Sequence, residues 1–580
     1  MNQFSYWTTF TFSRLHSPFA TAGTGLFCLY LALPPWNLSY LAWLAPIFFV
    51  RVIYNNKRSS PSSKDSAQTQ NPSPNTQDRS EKWFYTKMYL ASLLFWLATL
   101  QGVRHAHWAV YFGWLFLSLY LAFYFPIFIA LSRRAIERWK VWPLVAIPAI
   151  WSGLELARSY LLTGFPVALL AHTQVAQINL LQISDLFGAY GLSFAIILVG
   201  TLVGQSPSSP FRFSHYVQRW QGPLAALLVI GAMLSYGTLR RQSLEQNRLT
   251  QEGSPPQTTT VLLMGRQYYT RFDAPLEEKQ KTIEAYLEQT VQLLQKNPHV
   301  DLVVWPESVL TLNVPYSTAH PQSKASKEWN FPPFLGQFPH LQRIFKPLVV
   351  GANHFHFDKN EQPILTNSAI TLDENTNPVN IYDKMHPVMF GEYIPLGDYF
   401  PFLYDLAPIS LGLTPGPKPT SFEHEGVNFI PNICFEITIP HLVRKQAIVC
   451  NDPQSMNVIL NISNDGWFWG SSIADLHFNC SVFRAVELRT PVLMAANAGY
   501  CGFIDSTGEL VDRNHSFNDE AVLATIPHAS PHLGTLYLWV GDWPIAVCLL
   551  FCLMLGGDSI VGTVAKKFQR KPSPRRLHKL

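Results

Sequence analysis

The sequence predicts a polytopic α-helical membrane bundle joined to a layered α/β sandwich domain. Of the 580 residues, 48% are apolar and only 14% are charged, which is about half the charged fraction of a typical soluble protein (~25%). Mean hydropathy is nevertheless only +0.07, so a strongly apolar region is averaged with a polar one. Long apolar runs occupy the first 240 residues and a C-terminal stretch, whereas residues 250–530 show short strand-like runs.

Eight apolar runs are long enough for transmembrane helices, which need about 20 residues to cross the hydrocarbon core. They lie at 17–33, 36–54, 84–104, 108–131, 141–161, 184–204, 221–240 and 537–557. A single run could be a buried core helix, but eight such runs with little internal charge predict membrane spans. Two runs contain Glu155, Arg158 and Asp185, and ionisable groups at membrane depth are usually paired or functional.

The distribution of Lys and Arg predicts the orientation of the bundle. The alternate connections at 34–35, 105–107 and 162–183 carry none of these residues. The other connections and the C-terminal tail together carry 19, at Arg14, in 55–82, in 133–140, at Arg212 and Arg219, and in 558–580. We therefore expect both termini in the cytoplasm and residues 250–530 on the outer side. The basic tail is expected to contact anionic lipid, not nucleic acid.

These features divide the chain into four parts. Residues 1–240 are expected to form a membrane domain with seven transmembrane helices, interrupted by a flexible cytoplasmic linker at 55–82 that is rich in Ser, Pro, Asn and Gln. Residues 250–530 form the outward-facing domain, 537–557 the eighth transmembrane helix, and 558–580 a basic cytoplasmic tail.

Short apolar runs bounded by Pro, Gly and Asn predict the strands of the outward-facing domain. They lie at 258–264, 301–305, 347–352, 367–372, 427–435, 456–463, 491–497 and 521–526. Their continuous β-branched character is typical of strands that are covered on both faces. A helix is expected between the first two, with Asp273 as its N-cap and Leu276, Ile283, Leu287 and Leu294 on its apolar face.

Three polar residues stand at or just after the ends of apolar strands. Glu307 follows LVVWP, Lys384 ends VNIYDK, and Cys434 ends VNFIPNIC. Strand ends in layered α/β folds can converge on a common crevice. Each residue alone has an ordinary interpretation, because a Cys in this context is usually a small buried hydrophobe, a Glu after Pro often caps a helix, and a Lys is usually solvated.

Together the three residues are sufficient for acyl transfer through a thioester. A thiol must lose its proton before it attacks a carbonyl, and a carboxylate such as Glu307 can act as the base. The ammonium of Lys384 can lower the pKa of the thiol and stabilise the oxyanion. The backbone N–H of Phe435, which follows the thiol of Cys434, could be a second oxyanion donor.

The motifs WPES, YDK and ICFE around these residues resemble the Glu–Lys–Cys triad of the nitrilase (carbon–nitrogen hydrolase) superfamily. Three longer segments resemble the apolipoprotein N-acyltransferases more narrowly: MFGEYIPLGDYFP (389–401), NISNDGWF (461–468) and FRAVELRTPVLMAANAGYCGFID (483–505). Seven spans, a nitrilase-like domain and a final span are also the layout of that family. The resemblance implies a nitrilase-like α-β-β-α sandwich.

By this resemblance, Glu307 is the general base, Lys384 stabilises the intermediate and Cys434 is the nucleophile. Glu392 matches a second glutamate that the family keeps beside the triad, and Glu436 matches a glutamate two residues past the nucleophile. These five residues and the backbone N–H of Phe435 are the candidate site.

Two positions depart from the family pattern. Phe435 stands where the family usually has Tyr, and Met494 appears where an Arg is common. Neither departure touches the triad; both bear on substrate handling and rate.

The resemblance implies transfer of a fatty acyl chain from a membrane phospholipid, through a Cys434 thioester, to the N-terminal α-amino group of a diacylglyceryl-cysteine apolipoprotein. It places the chain in the bacterial inner membrane with the catalytic domain in the periplasm. Two alternatives remain open: a membrane-tethered amidase or nitrilase that hydrolyses a small C–N substrate, and a degenerate domain used for binding.

No cofactor or metal is expected. Walker, GxSxG, HExxH and GxGxxG motifs are absent, and no spacing of Cys and His suits zinc. His105 and His107 are interpreted as interfacial residues. Aromatic residues near the triad are candidates for mobile arms that admit acyl chains, with domain core or an interfacial belt as the alternatives: Trp329, Phe331, Phe334, Phe390, Tyr393, Tyr399 and Phe402.

Overall fold

The computed structural model describes residues 17–54, 74–105, 107–205, 213–249, 257–271, 275–316, 339–357, 363–397, 399–400, 402, 404, 412–515, 521–528 and 534–569. Within residues 17–249, the regular secondary structure of the described residues is helical. Its long helices are α1 (Pro18–Ala32), α2 (Leu41–Tyr54), α3 (Pro74–Thr99), α4 (Val110–Ala122), α5 (Tyr124–Glu137), α6 (Pro143–Tyr160), α7 (Ser184–Gly204) and α8 (Phe213–Leu249).

All eight predicted spans coincide with helices, but the number of membrane crossings is not confirmed. By length and composition, three helical stretches of the described chain are long and apolar enough to cross a membrane: Val110–Glu137, Ser184–Gly204 and Trp220–Gln246. Three shorter apolar helices accompany them, at Pro18–Ala32, Leu41–Tyr54 and Trp543–Ser559. The structure thus supports an apolar helical region without establishing an eight-helix bundle.

Two boundaries in this region differ from the sequence expectation. Residues 74–82 of the expected linker belong to helix α3, while 55–73 lie outside the described residues. The helix expected at 537–557 is divided, because Gly541 adopts a φ of +58° that ends a short helix, Leu536–Val540, before a long one, Trp543–Gln569. That long helix extends past residue 557 into the expected tail, and residues 570–580 lie outside the described residues.

The described part of residues 257–528 contains two mixed sheets. In the first, the strand order is β13-β1-β2-β4-β5-β6, and β3 also pairs with β4. Its strands are β1 (Thr258–Leu263), β2 (Leu302–Val304), β3 (Leu310–Tyr316), β4 (Leu348–Phe357), β5 (Pro363–Leu372), β6 (Pro378–Asp383) and β13 (Val522–Pro527). Strands β1, β2 and β4 are parallel neighbours, whereas β5, β6 and β13 pair antiparallel.

The second sheet has the order β12-β11-β10-β9-β8-β7, and β8, β9 and β10 are parallel. Its strands are β7 (Phe422–His424), β8 (Val427–Ile433), β9 (Met456–Asn464), β10 (Val492–Asn497), β11 (Tyr500–Ile504) and β12 (Leu510–His515). All eight runs predicted as strands are therefore confirmed.

Two apolar cores give the domain its layers. Between the sheets, β1 and β2 pack on β8, β9 and β10 through β-branched and aromatic side chains such as Val261, Phe429 and Val458. On the outer face of the first sheet lies α9 (Leu276–Lys296), whose Ile283 and Leu287 are buried as predicted. The helix begins after Pro275, and the predicted cap Asp273 lies outside the described residues.

The outer face of the second sheet is covered by α10 (Pro440–Val449) and α11 (Ile473–Leu488). Residues of α11, including Phe478 and Phe483, share one continuous apolar core with β10 and with the N-terminal helices. The α-β-β-α arrangement is therefore observed, and its second helical layer packs directly on the N-terminal helical region.

Polar groups reinforce this junction. Helix α7 is interrupted at Gly188, whose φ is +66°, and the next N–H, that of Ala189, donates to the carboxylate of Glu487 in α11 at 2.8 Å. A carboxylate from one part thus caps a buried helix start in the other, where negative charge is favourable. Asp185 in the same helix pairs with Arg489 at 2.7 Å. This ion pair accounts for an ionisable residue within an apolar run.

Candidate active site

The three strand-end residues meet where the two sheets face each other. Glu307 follows β2 and Lys384 follows β6, both in the first sheet, whereas Cys434 follows β8 in the second. The Lys384 ammonium lies 3.1 Å from the Glu307 carboxylate, and the Cys434 thiol is close enough for both charges to shift its pKa. The residues predicted from separate motifs therefore form one cluster.

Lys384 lies between two carboxylates. Its Nζ is 3.1 Å from Oε1 of Glu307 and 2.6 Å from Oε1 of Glu392, and its side chain is only 1% exposed. Burial opposes its charge, but the two carboxylates outweigh that effect and raise the pKa of Lys384 well above its usual value. The ammonium is therefore retained at neutral pH.

Both carboxylates are held in position by further donors. The Asn367 amide donates to Oε1 of Glu307 at 2.7 Å, and the backbone N–H of Asn464 donates to Oε2 at 2.9 Å. The backbone N–H of Val388 donates to Oε2 of Glu392 at 2.7 Å. Burial is the largest influence on Glu392 and raises its pKa, although Lys384 acts in the opposite direction.

Cys434 is the first residue of a 3₁₀ turn, Cys434–Thr438, that directly follows β8. Its φ is +52°, a left-handed conformation that is uncommon for a residue other than Gly and that often marks a functional position. The thiol remains partly accessible. Burial and then the charge of Glu307 raise the pKa of Cys434 well above its usual value, while Lys384 lowers it. The resting thiol is thus protonated and requires a base.

Glu436 holds the backbone around Cys434 through hydrogen bonds to its carboxylate. Its Oε1 accepts from the N–H groups of Met385 and His386 at 2.7 and 3.0 Å. Its Oε2 accepts from Tyr382 and from the N–H of Ile433 at 2.8 and 2.9 Å. Burial raises the pKa of this carboxyl to about 7. Glu436 therefore links the segment after β6 to the end of β8, which sets the distance between Lys384 and Cys434.

The two departures from the family pattern lie at different depths. The Phe435 ring is half-buried and stacks on Phe165 of the α6–α7 connection, with ring centroids 6.4 Å apart, and on His386 at 6.3 Å. Met494 is fully buried in β10. The Ser481 hydroxyl donates a weak hydrogen bond to its sulfur at 3.7 Å. Phe435 thus fills space at the site, whereas Met494 belongs to the core.

Sequence reasoning missed several residues that hold the site. Asn367 lies in a predicted strand and was not singled out, although an amide in an apolar run is a signal of a buried polar contact. Asp465 lies in the NISNDGWF segment, and it binds His477 of α11 at 3.0 Å. Nothing in the sequence pattern links His477 to Cys434, and only the packing of α11 brings them together.

The two histidines and the described aromatic residues singled out in the sequence lie outside the Glu–Lys–Cys cluster. His105 stacks on Trp469 with centroids 5.9 Å apart, and Nδ1 of His107 accepts from a backbone N–H. Among the described residues, no group of three His, Cys, Asp or Glu could hold a metal ion. Of the aromatic arm candidates, Phe390, Tyr399 and Phe402 are exposed, whereas Trp329, Phe331 and Phe334 lie outside the described residues.

The paired sheets and the Glu–Lys–Cys cluster define a carbon–nitrogen hydrolase domain. The family model described as "Carbon-nitrogen hydrolase" matches residues 267–530, and "Apolipoprotein N-acyltransferase N-terminal domain" matches residues 73–202. Among solved structures, Saccharomyces cerevisiae Nit3, a member of branch 10 of the nitrilase superfamily, is 18% identical over 47% of this chain and 90% of that protein, with a TM-score of 0.33.

Curated relatives narrow the family. An apolipoprotein N-acyltransferase of Rhodopirellula baltica is 30% identical over 505 residues, covering 79% of this chain and 86% of that protein. Another, from Geobacter metallireducens, is 30% identical over 443 residues, covering 75% of this chain and 78% of that protein. The chain belongs to the apolipoprotein N-acyltransferase family, and it is an N-acyltransferase.

Proposed function

We propose that the chain moves a fatty acyl group from a membrane phospholipid to the α-amino group of an N-terminal diacylglyceryl-cysteine, through a thioester on Cys434. The observation that carries this proposal is the cluster in which Lys384 lies between the buried carboxylate of Glu307 and the half-buried carboxylate of Glu392, beside the partly accessible Cys434. We assign Glu307 as general base, Lys384 as oxyanion stabiliser and Cys434 as nucleophile, with Glu392 and Glu436 as supporting residues.

In the first half-reaction, Glu307 takes the thiol proton and the sulfur forms a bond to the ester carbonyl carbon. The carbonyl π electrons move to oxygen, where Lys384 and the N–H of Phe435 stabilise the negative charge. Collapse of this intermediate breaks the bond to the glycerol oxygen, which takes the proton from Glu307. The products are the thioester and a lysophospholipid.

In the second half-reaction, the amine nitrogen attacks the thioester carbonyl and Glu307 accepts a proton from it. Collapse breaks the carbon–sulfur bond, and the same proton returns to the Cys434 sulfur. One carboxylate thus serves both halves as acceptor and donor, and the amide product and the free enzyme are released.

The position of the nucleophile supports a lipid donor. Phe435 stacks on Phe165, which belongs to the connection between two apolar helices, α6 and α7. The exposed Trp108, Trp539 and Trp543 flank other ends of the apolar helices, as expected of an aromatic belt at a membrane surface. A lipid-anchored substrate keeps about 0.8 kcal/mol per buried CH₂ by remaining in the membrane, so a site at this level is favourable.

We further propose the topology that the basic residues indicate. Residues 1–240 and 537–557 contribute eight crossings, both termini and the tail 558–580 face the cytoplasm, and residues 250–530 face the periplasm across the bacterial inner membrane. The direct contact between α11 and the N-terminal helices supports a catalytic domain that rests on the periplasmic surface of the inner membrane.

The test uses the full chain in mixed micelles with phospholipid and a synthetic diacylglyceryl-cysteinyl peptide. We expect a fatty-acyl mass adduct on the wild-type protein, release of lysophospholipid and N-acylation of the peptide. Cys434→Ala should abolish all three, whereas Cys450→Ala, which changes another cysteine of the same domain, should retain them. An adduct on the Cys434→Ala protein would exclude Cys434 as nucleophile.

The same assay distinguishes the proposed acyltransferase from the alternative amidase. A membrane-tethered amidase with this triad would hydrolyse a small C–N substrate and release no lysophospholipid. If the wild-type protein cleaves a short amide but produces no lysophospholipid over the same period, the acyltransfer proposal is wrong.

A further inference from the structure

The backbone carbonyl of Cys434 accepts two side-chain hydrogen bonds. Nε2 of His477 lies 3.0 Å from this oxygen, and the amide nitrogen of Asn461 lies 3.3 Å from it. A carbonyl oxygen has two lone pairs, so both are used. These contacts hold the peptide that follows the nucleophile in a single orientation, although the φ of Cys434 is +52°.

His477 carries two ring protons in this arrangement. Its Nδ1 lies 3.0 Å from Oδ1 of Asp465, and its Nε2 faces the Cys434 carbonyl oxygen. A carboxylate and a carbonyl both accept hydrogen bonds, so each ring nitrogen donates one and the ring is an imidazolium. Burial opposes the charge, but Asp465 and the carbonyl raise the pKa of His477 from its usual value.

The cation therefore contacts the same peptide group whose N–H belongs to Phe435. A charged donor at the carbonyl oxygen draws electron density toward that oxygen and makes the N–H of the same peptide a stronger donor. This N–H is one of the two donors assigned to the oxyanion. The charge on His477 is thus linked to the oxyanion through a single peptide bond.

We propose that His477 and Asp465 are positioning residues that polarise the Cys434–Phe435 peptide and strengthen its N–H toward the oxyanion. The inference rests on the proposed thioester chemistry at Cys434. The pair does not act as the thiol's base, because both ring nitrogens of His477 are already engaged. Nor does Asp465 activate the thiol, since its negative charge raises the pKa of Cys434.

Two reagents for the same sulfur distinguish this role from simple support of the fold. Attack on a p-nitrophenyl fatty ester passes through an oxyanion, whereas alkylation by iodoacetamide does not. Both rates are measured at Cys434 by mass spectrometry on the full chain in micelles. His477→Gln retains a neutral donor, and Asp465→Asn removes the charge that stabilises the imidazolium.

We expect both variants to lose about 10-fold or more in acylation rate, since removal of one complete oxyanion donor costs about 10²–10³. Alkylation should stay within about threefold of the wild-type rate. Equal losses in both reactions would show that the pair only orders the turn, and the inference would then be wrong. Unchanged acylation would also overturn it.

The wild-type protein provides a test that does not depend on whether variants fold. The groups facing His477 are Asp465 from the 3₁₀ turn after β9, Glu307 from the end of β2, and Cys434 itself. Thiol ionisation affects both reactions, so the ratio of acylation to alkylation isolates the imidazolium. The ratio should fall as the pH rises above the raised pKa of His477, and a constant ratio from pH 6 to about 10 would contradict the inference.

The role of His477 and the proposed function can be rejected separately. The activated ester tests only the chemistry of the thiol, whereas release of lysophospholipid tests the natural donor. Wild-type protein that releases lysophospholipid but shows a constant ratio keeps the proposed function and loses the role of His477. Protein whose ratio falls as the pH rises but that releases no lysophospholipid keeps the role of His477 and loses the proposed lipid donor.

Discussion

Two clusters of buried charge in this molecule have opposite compositions. At the candidate site, one cation, Lys384, lies between the carboxylates of Glu307 and Glu392. At the junction with the helical region, one carboxylate, Asp185, lies between two guanidinium groups, with Arg240 at 2.9 Å and Arg489 at 2.7 Å. The central charge of each cluster, Lys384 or Asp185, is almost inaccessible to solvent, so burial of charge does not by itself identify a catalytic site.

The difference lies in what each cluster adjoins. Asp185 also accepts from the hydroxyl of Tyr236 at 2.6 Å, and Arg489 donates to the side chain of Gln182 at 2.7 Å. All of these partners are structural, so the cluster joins α7 and α8 to the catalytic domain. Lys384 instead lies beside a partly accessible thiol in a left-handed turn. A reactive group at a strained strand end distinguishes the candidate catalytic cluster, which is called the catalytic cluster below.

The largest expected effect comes from removing the cation of the catalytic cluster. Lys384→Gln should lower the rate of acyl-enzyme formation by about 10³-fold, since an oxyanion donor is lost and the carboxylates of Glu307 and Glu392 then face each other without a counter-charge. The measurement is the appearance of the fatty-acyl adduct on intact protein. Lys445→Gln, which changes an exposed lysine of α10, is the matched control and should leave the rate unchanged.

Equal rates for the two lysine variants would mean that the buried cation has no role in the chemistry. The catalytic cluster would then be of the same kind as the junction cluster, and the comparison between them would fail.

The catalytic cluster was the more predictable of the two from sequence. Glu307 and Cys434 follow buried strands and Lys384 follows a partly buried one, and strand ends in a layered fold lie at a shared edge. The apolar helices were also predictable, because their length and composition do not depend on a partner. Strand β12 (Leu510–His515) was missed because it lies at the edge of its sheet, and its sequence LVDRNH is largely polar.

Contacts between distant elements could not be predicted. The pairing of Asp185 with Arg489 joins residues 304 positions apart, and that of His477 with Cys434 depends on how α11 packs. Neither has a local pattern. The number of crossings also stayed a prediction, because several apolar helices of the structure are shorter than a membrane span.

The second effect concerns the stability of the junction. Arg489→Gln should lower the free energy of unfolding by about 3–5 kcal/mol, as expected when one member of a buried ion pair is removed. The measurement is thermal or denaturant unfolding in micelles. Acylation of Cys434 by the folded variant should stay within about threefold of wild type, since Arg489 does not contact the site. Loss of acylation at a temperature where the variant is folded would show that the junction also controls chemistry.

A third, smaller effect is a dependence of stability on pH that both regions share. Burial raises the pKa of Glu436 at the site and of Glu487 at the junction to about 7. Because the folded state holds these protons more tightly than the unfolded chain, the stability they contribute is present at low pH and is lost as the pH rises toward and through 7. We expect a decline of about 1–3 kcal/mol per group between pH 5 and 8.

Glu487→Gln tests the contribution of the junction to this decline. The amide oxygen can still accept from the N–H of Ala189, but the side chain no longer titrates. The unfolding midpoint of this variant should fall less steeply between pH 5 and 8 than that of the wild type. Parallel curves for the two proteins would show that Glu487 does not titrate in this range.

The smallest effect comes from an ion pair next to the junction cluster whose carboxylate is exposed and not buried. Arg240 and Arg241 are consecutive in α8, and Arg240 pairs with buried Asp185 whereas Arg241 pairs at 2.8 Å with Glu509, which is 54% exposed. Arg241→Gln should cost at most about 1 kcal/mol because water screens an exposed pair, and this cost should shrink further at high salt. Arg240→Gln should cost clearly more under the same conditions. If the two variants unfold at the same denaturant concentration, burial does not determine the strength of the junction, and the distinction between its buried and exposed charges is lost.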